Sequence, residues 1–183
     1  MRADARRNRR RLLDGAVELI LELGGEPSRD AIAQRAEVGI GTLYRHFPDQ
    51  QALLRAVVLD VLDRTVHLGE TALAESKDGR EALRRYLHGA IDTGLGVVNV
   101  IYPMLDGTDW PEQRSAAAEA LERLTEAARR DGAIGREVGA GDIAIASIRF
   151  CRPLALGLDP AEERAIAHRH LDTYLDGLAV DAA

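Results

Sequence analysis

The sequence predicts an all-α protein, and three observations carry that reading. Aromatic residues make up only 4% of the 183 residues while Ala, Leu, Arg and Glu abound, whereas strands want aromatic and β-branched side chains to pack on a pleated surface. Apolar residues recur at three- and four-residue steps along the chain. Gly, Pro and small polar residues interrupt that pattern at intervals suited to connections between helices. With 46% hydrophobic and 30% charged residues, the chain has a globular composition, not a disordered or collagen-like one. Its length suits one medium domain, or a small domain joined to a larger one.

Each element has a local reason. Between Arg7 and Leu23, Leu13, Val17 and Ile20, joined by Leu12, Ala16 and Leu23, share one helical face, and Gly24 and Gly25 stop the helix. Ser28 is an N-cap for a second helix, Ser28 to Ala36, with Ile32 and Ala33 facing inward. After Glu37, Val38 and Gly39 comes a third short segment, Ile40 to Phe47, halted by Pro48. Asp49 caps a long helix whose stripe of Leu53, Leu54, Val57, Val58, Val61, Leu62 and Val66 carries it to Glu75. Arg80 to Val98 is expected to be one helix weakened by Gly89, Gly94 and Gly96, and Tyr102 to Trp110 a loop with room for one helical turn. Pro111 suits the first position of a helix through Arg130, which Asp131 and Gly132 end. Asp142 to Arg152, apolar on nearly every side, is expected to be deeply buried, and Ala161 to Leu178 closes a set of about nine helices. There is no internal repeat.

The formal charge of -6 hides a split. Residues 1–55 hold ten Arg against eight acids, a net of +2, and the rest of the chain carries -8. Within Arg2 to Arg11, six Arg face only Asp4. Such a run is either a solvated, frayed arm or a partner for phosphate. The chain's only cysteine, Cys151, has no partner for an internal disulfide, and neither a signal-type apolar run nor a span of about 20 apolar residues is present. A cytoplasmic protein without a membrane partner, cofactor or metal is expected.

Residues 28–54 read Ser-Arg-Asp-Ala-Ile-Ala-Gln-Arg-Ala-Glu-Val-Gly-Ile-Gly-Thr-Leu-Tyr-Arg-His-Phe-Pro-Asp-Gln-Gln-Ala-Leu-Leu. Gly39, Ile40, Gly41 and Thr42 are small or slender enough for the third segment to enter a major groove roughly 12 Å wide. Thr42, Tyr44 and His46 add polar groups, while Leu43 and Phe47, four apart, anchor the opposite face. The stretch closely resembles the helix-turn-helix of the TetR family of bacterial transcriptional regulators. The resemblance is strong over residues 7–55 and elsewhere rests on helix count and length. It implies a domain at 1–48 that binds DNA and a domain at 49–183 for effector binding and dimerisation. It also implies base or groove contact from Ile40, Gly41, Thr42 and Arg45, and phosphate contact from Ser28, Arg29, Tyr44 and His46. Arg6, Arg7 and Arg10 of the basic run join them on a double-stranded operator. Three positions depart from the family pattern: Glu37 stands where Gly is usual in the turn, Gly39 where Ser usually caps, and Gln50 where Lys usually meets a phosphate. Glu37 would carry strain if the turn requires positive φ.

Outside this segment, Cys151 reads as a buried structural thiol. His168 and His170, two apart, fall on different helix faces and make no metal pair, and the glycines of 132–141 lack the strand and lysine of a phosphate loop. No catalytic constellation is recognisable. Tyr86, Tyr102, Met104, Trp110, Arg149 and Phe150 fall where the family surrounds its ligand, although each can equally fill the core. Arg149, on an apolar helix, requires a ligand anion or an internal carboxylate such as Asp106 or Asp142. Ile166, His170, Tyr174 and Leu178 are expected at the dimer surface. The resemblance thus implies a homodimeric repressor, not an enzyme, released by an unknown small molecule. Its rivals are a regulator with a closed core and a helical enzyme or adaptor with a degenerate head.

Overall fold

A computed structural model describes residues 2–105, 110–152 and 158–178. Among them the chain forms nine α-helices and one 3-10 turn, and no strand. In order these are α1 (Arg2–Leu23), α2 (Arg29–Arg35), α3 (Ile40–His46), α4 (Gln50–Glu75), α5 (Gly79–Asp92), α6 (Gly96–Ile101), the 3-10 turn Tyr102–Met104, α7 (Pro111–Arg130), α8 (Ala140–Cys151) and α9 (Pro160–Gly177). No helix among the described residues is long and apolar enough to cross a membrane.

Short polar side chains set the helix starts. The Ser28 hydroxyl accepts the Ala31 N–H, and the carboxylates of Asp49, Asp78 and Asp159 accept those of Ala52, Glu81 and Ala161. Gly132, at φ 69°, turns the chain after α7.

Two apolar cores organise the helices. The first joins Leu12, Leu13, Ala16 and Ile20 of α1 to Ile32, Leu43, Phe47 and the Leu53–Leu62 half of α4, and takes in Val97, Ile101 and Trp110. The second gathers Ala72, Leu83, Tyr86, Leu87, Leu121, Leu124, Ile143, Leu171 and Leu175 from α4, α5, α7, α8 and α9. Packing therefore runs across the 48/49 position: half of α4 and all of α6 serve the N-terminal unit. A fully buried Leu contributes about 2 kcal/mol and an exposed ion pair about 0–1 kcal/mol. Leu12, Leu13 and Ile20 therefore hold α1 in place, while ion pairs set its orientation.

The basic N-terminal run is the first part of α1, which begins at Arg2, and Arg7 bonds Asp4 one turn away. Two expectations need correction. Arg80 to Val98 is two helices, because Gly94 adopts φ 80° and a side chain there would meet Val17 at 2.6 Å; the chain turns and sends α6 to the first core. Finally, α8 is not deeply buried. Ile143, Ala146 and Ser147 face inward, but Ile145 and Ile148 are 53% and 41% exposed.

Candidate nucleic-acid interface

The face of α3 is built from a buried side outward. Leu43 and Phe47, 0% and 2% exposed, sink into the first core, which turns Ile40 and Tyr44 to solvent at 37% and 49%. Gly39 and Gly41 open the N-terminal end further, since a Cβ at either would meet nothing within 4 Å. The result is a slender ridge with one greasy flank and one open flank. Arg45 is exposed and donates to the Thr42 hydroxyl at 2.7 Å, so these two side chains act as one polar group on the ridge.

Arg29 has partners inside the protein. Its Nη2 donates to the carbonyl oxygens of Phe47 at 2.8 Å and Pro48 at 3.0 Å, and its guanidinium lies 4.0 Å from the centre of the Tyr44 ring. It therefore satisfies carbonyls beyond the C-terminal end of α3 and holds the Tyr44 ring with its face against the cation. Ser28 caps α2 through its hydroxyl oxygen, a role that leaves the hydroxyl hydrogen to donate. His46 is half-buried with its ring tilted against Phe47. Gln50, at the usual lysine position, donates to the Pro27 carbonyl at 3.2 Å.

The basic run divides by partner. Arg10 is a strap: it bonds Asp14 on its own helix at 2.5 and 2.9 Å and Asp60 on α4 at 2.9 and 3.0 Å. The Asp14 hydrogen bond, with help from Asp60, raises its pKa against the desolvation that burial imposes. Arg10 thus joins α1 to α4. Arg9 covers the Phe47 ring at 5.4 Å. Arg6 is exposed and makes no ion pair among the described residues, and Arg7 is exposed beside Asp4.

Glu37 does adopt the left-handed region, φ 49°, the sole non-Gly residue to do so among the described residues, and its exposed carboxylate pairs with Arg11 at 2.7 Å. Replacing Glu37 with glycine is expected to relieve about 1 kcal/mol of backbone strain and to free Arg11. Thermal unfolding should shift upward and DNA affinity should rise on all sequences alike.

These features match known proteins. Residues 12–57 fit the family described as bacterial regulatory proteins, tetR family. The structure superposes on a TetR transcriptional regulator from Streptomyces coelicolor with a TM-score of 0.72 and 32% identity, covering 95% of this chain and 99% of that one. The chain belongs to the TetR family of transcriptional regulators. A second TetR regulator, from Mycobacterium vanbaalenii, agrees at TM-score 0.69 and 31% identity over 98% of this chain and 99% of that one. An HTH-type transcriptional regulator of Staphylococcus aureus strain USA300 is 44% identical over 64 residues, 34% of this chain. The chain spans only 35% of the length of that curated relative.

In this TetR-family chain the six residues expected around a ligand do not gather at one place. Tyr86 lies in the second core, whereas Trp110 belongs to the first and Met104 packs against it. Tyr102 is 48% exposed, with its ring edge-on to Trp110 at 6.3 Å. Phe150 packs on Tyr174 with ring centroids 5.5 Å apart. Arg149 is exposed, so it needs no buried counter-ion; Asp142 accepts the Gly139 N–H, and Asp106 lies outside the described residues. The physical reason is the turn at Gly94, after which Met104, Leu105 and Trp110 join the N-terminal core. A cleft of about 510 Å³ lies instead between α1, α4 and α7, lined by Arg9, Arg55, Leu59, Asp60, Asp63 and Gln113, and none of the six lines it.

Of the expected dimer residues, His170 is exposed and Ile166, Tyr174 and Leu178 are half-buried, the last two packing on the second core. Ile145, Ile148 and Leu158, all exposed, were missed by sequence reasoning. The signal was present in α8: a helix apolar on several sides can owe one side to its own core and another to a partner.

Cys151 is withdrawn from water, and burial, with a smaller contribution from Asp92, pushes its thiol up to about 12. Burial likewise carries Tyr86 to about 12. The Cys151 thiol is expected to resist alkylation at neutral pH until the protein is unfolded. Both groups are raised above unfolded values of about 8.5 and 10. Their contribution to stability is therefore complete below about pH 8.5 and is lost as pH rises toward 12, which denaturant titrations across alkaline pH would record.

Proposed function

We propose that this chain is a homodimeric, ligand-responsive repressor that binds a palindromic operator through α3 and is released by a small molecule. One observation carries the reading: α3 buries Leu43 and Phe47 while leaving Ile40, Gly41 and Tyr44 open to solvent. In this reading Ile40, Gly41, Thr42 and Arg45 face base edges, and Tyr44, His46, Arg6 and Arg7 meet phosphates. Arg29 acts through Tyr44. Two copies must place their α3 helices in successive major grooves about 34–36 Å apart, which requires a two-fold interface. The exposed Ile145, Ile148 and Leu158, with Ile166 and His170 of α9, are the surface offered for it.

Release would act through α4. The Gln51 amide donates to the Met104 carbonyl at 2.9 Å, and α4 shares the first core with α6, so a shift in the 96–104 segment tilts the start of α4 and changes the α3 separation. The division of the six expected ligand residues between two cores favours the rival regulator that takes no effector. A small-molecule screen read by melting temperature and release from DNA separates the two.

Selection of bound fragments from genomic DNA tests the reading as a whole. An enriched inverted repeat with half-sites one helical turn or a multiple apart supports it, and binding that decays with salt without any enriched sequence refutes it.

A further inference from the structure

Four side chains outside the α3 face form one hydrogen-bonded chain between α5 and α9. His168 Nε2 stands 3.1 Å from Asp92 Oδ1, the two imidazoles meet Nδ1 to Nδ1 at 2.7 Å, and His88 Nε2 stands 2.8 Å from Asp172 Oδ1. The ring planes are within 7° of parallel with centroids 4.9 Å apart. The nitrogen contact takes up most of that separation, so the rings meet edge to edge and not face to face. Arg84 closes the far end, 2.7 Å from the same Asp172 oxygen. Both imidazoles are about three-quarters withdrawn from water.

Proton counting makes this arrangement specific. A carboxylate only accepts, so both Nε2 atoms carry hydrogen. The Nδ1–Nδ1 contact needs one hydrogen and has room for only one. Three hydrogens on four nitrogens give the pair a single positive charge. Arg84 and Asp92 face it from α5 and Asp172 from α9, while Cys151 of α8, uncharged at neutral pH, lies on the Asp92 side. With one shared proton, the two carboxylates balance the guanidinium and the imidazole pair. Removing that proton sets two lone pairs against each other at 2.7 Å, and adding another sets two N–H groups against each other. A separation of 2.7 Å between two ring nitrogens is that of a hydrogen bond, so the proton is the species the geometry suits.

We propose that His88 and His168 share a single proton that latches α9 onto α5, and that the latch opens when the pair gains a second proton or loses the shared one. Because α9 carries Ile166 and His170, the proposed dimer, and through it operator binding, is strongest when one proton is held; this consequence rests on the reading given above.

The test uses the full chain and its variants His88→Gln and His168→Gln. Imidazole ¹⁵N signals followed across pH should show His88 and His168 responding as one unit in two separated steps. His168→Gln should collapse the His88 curve to a single step. The urea midpoint of the wild type should pass through a maximum with pH that both variants lose. A His88 curve unchanged by His168→Gln, or variant stability profiles parallel to the wild type at every pH, overturns the latch. Sedimentation at each pH reads the assembly separately: coupled titration in a chain that stays monomeric upholds the latch and removes only its link to the dimer.

Discussion

Replacing Arg29 with alanine is expected to lower stability by about 2 kcal/mol, with a matching loss of DNA affinity on every sequence. The two hydrogen bonds to the Phe47 and Pro48 carbonyls are charge-assisted, a class whose loss costs about 1.5–3 kcal/mol, and the contact with Tyr44 adds about 0.5–1 kcal/mol. Part of this is offset, because the buried Arg29 Nε has no partner and the substitution removes that unsatisfied donor as well. Arg29→Lys should recover little, since an ammonium cannot donate to both carbonyls while stacking its plane on a ring. Urea unfolding with an unchanged slope and a lower midpoint would show the effect, and titration of operator DNA its consequence. A midpoint equal to the wild type would show that Arg29 holds nothing.

Gly96→Ala is the second substitution with a large effect. A Cβ at Gly96 would stand 1.8 Å from the carbonyl oxygen of Cys151 and 2.6 Å from its carbon, both backbone atoms that cannot swing aside. Either α6 or the end of α8 must move, at an expected cost of about 3 kcal/mol or more. That contact joins the proposed dimer helix to the segment bonded to α4, so the variant should lose cooperative unfolding before it loses helicity. Gly41→Ala is the control of opposite sign. Its Cβ meets nothing and alanine favours a helix, so stability should hold or rise by up to about 1 kcal/mol while DNA affinity falls because a methyl fills the approach.

How much of this was legible in the sequence follows from how local the cause is. Ser28, Asp49 and Pro111 mark helix starts through bonds or backbone angles within one turn, and each start lies within a residue of where those residues place it. The Leu43–Phe47 spacing gave the buried side of α3, and Glu37 declared a strained turn because a Gly is usual there. What the sequence concealed depends on partners far along the chain. Arg10 finds Asp60 fifty residues away and Arg29 finds carbonyls eighteen residues on, internal partners that no local pattern announces. Gly94 was read as a weak point in one helix, yet its positive φ ends α5 and sends Trp110 to the N-terminal core. His168 was set against its sequence neighbour His170, whereas its partner is His88, eighty residues earlier.

The central claim is that the open side of α3 lies in a major groove. Guanine N7 faces that groove, so methylation protection on a selected operator reads it directly. Two protected patches of N7 are expected, one helical turn or a multiple apart, both lost with Tyr44→Ala and the base preference within each relaxed by Thr42→Ala. Protection confined to the minor groove, or N7 protection that survives unchanged in Tyr44→Ala, would contradict it.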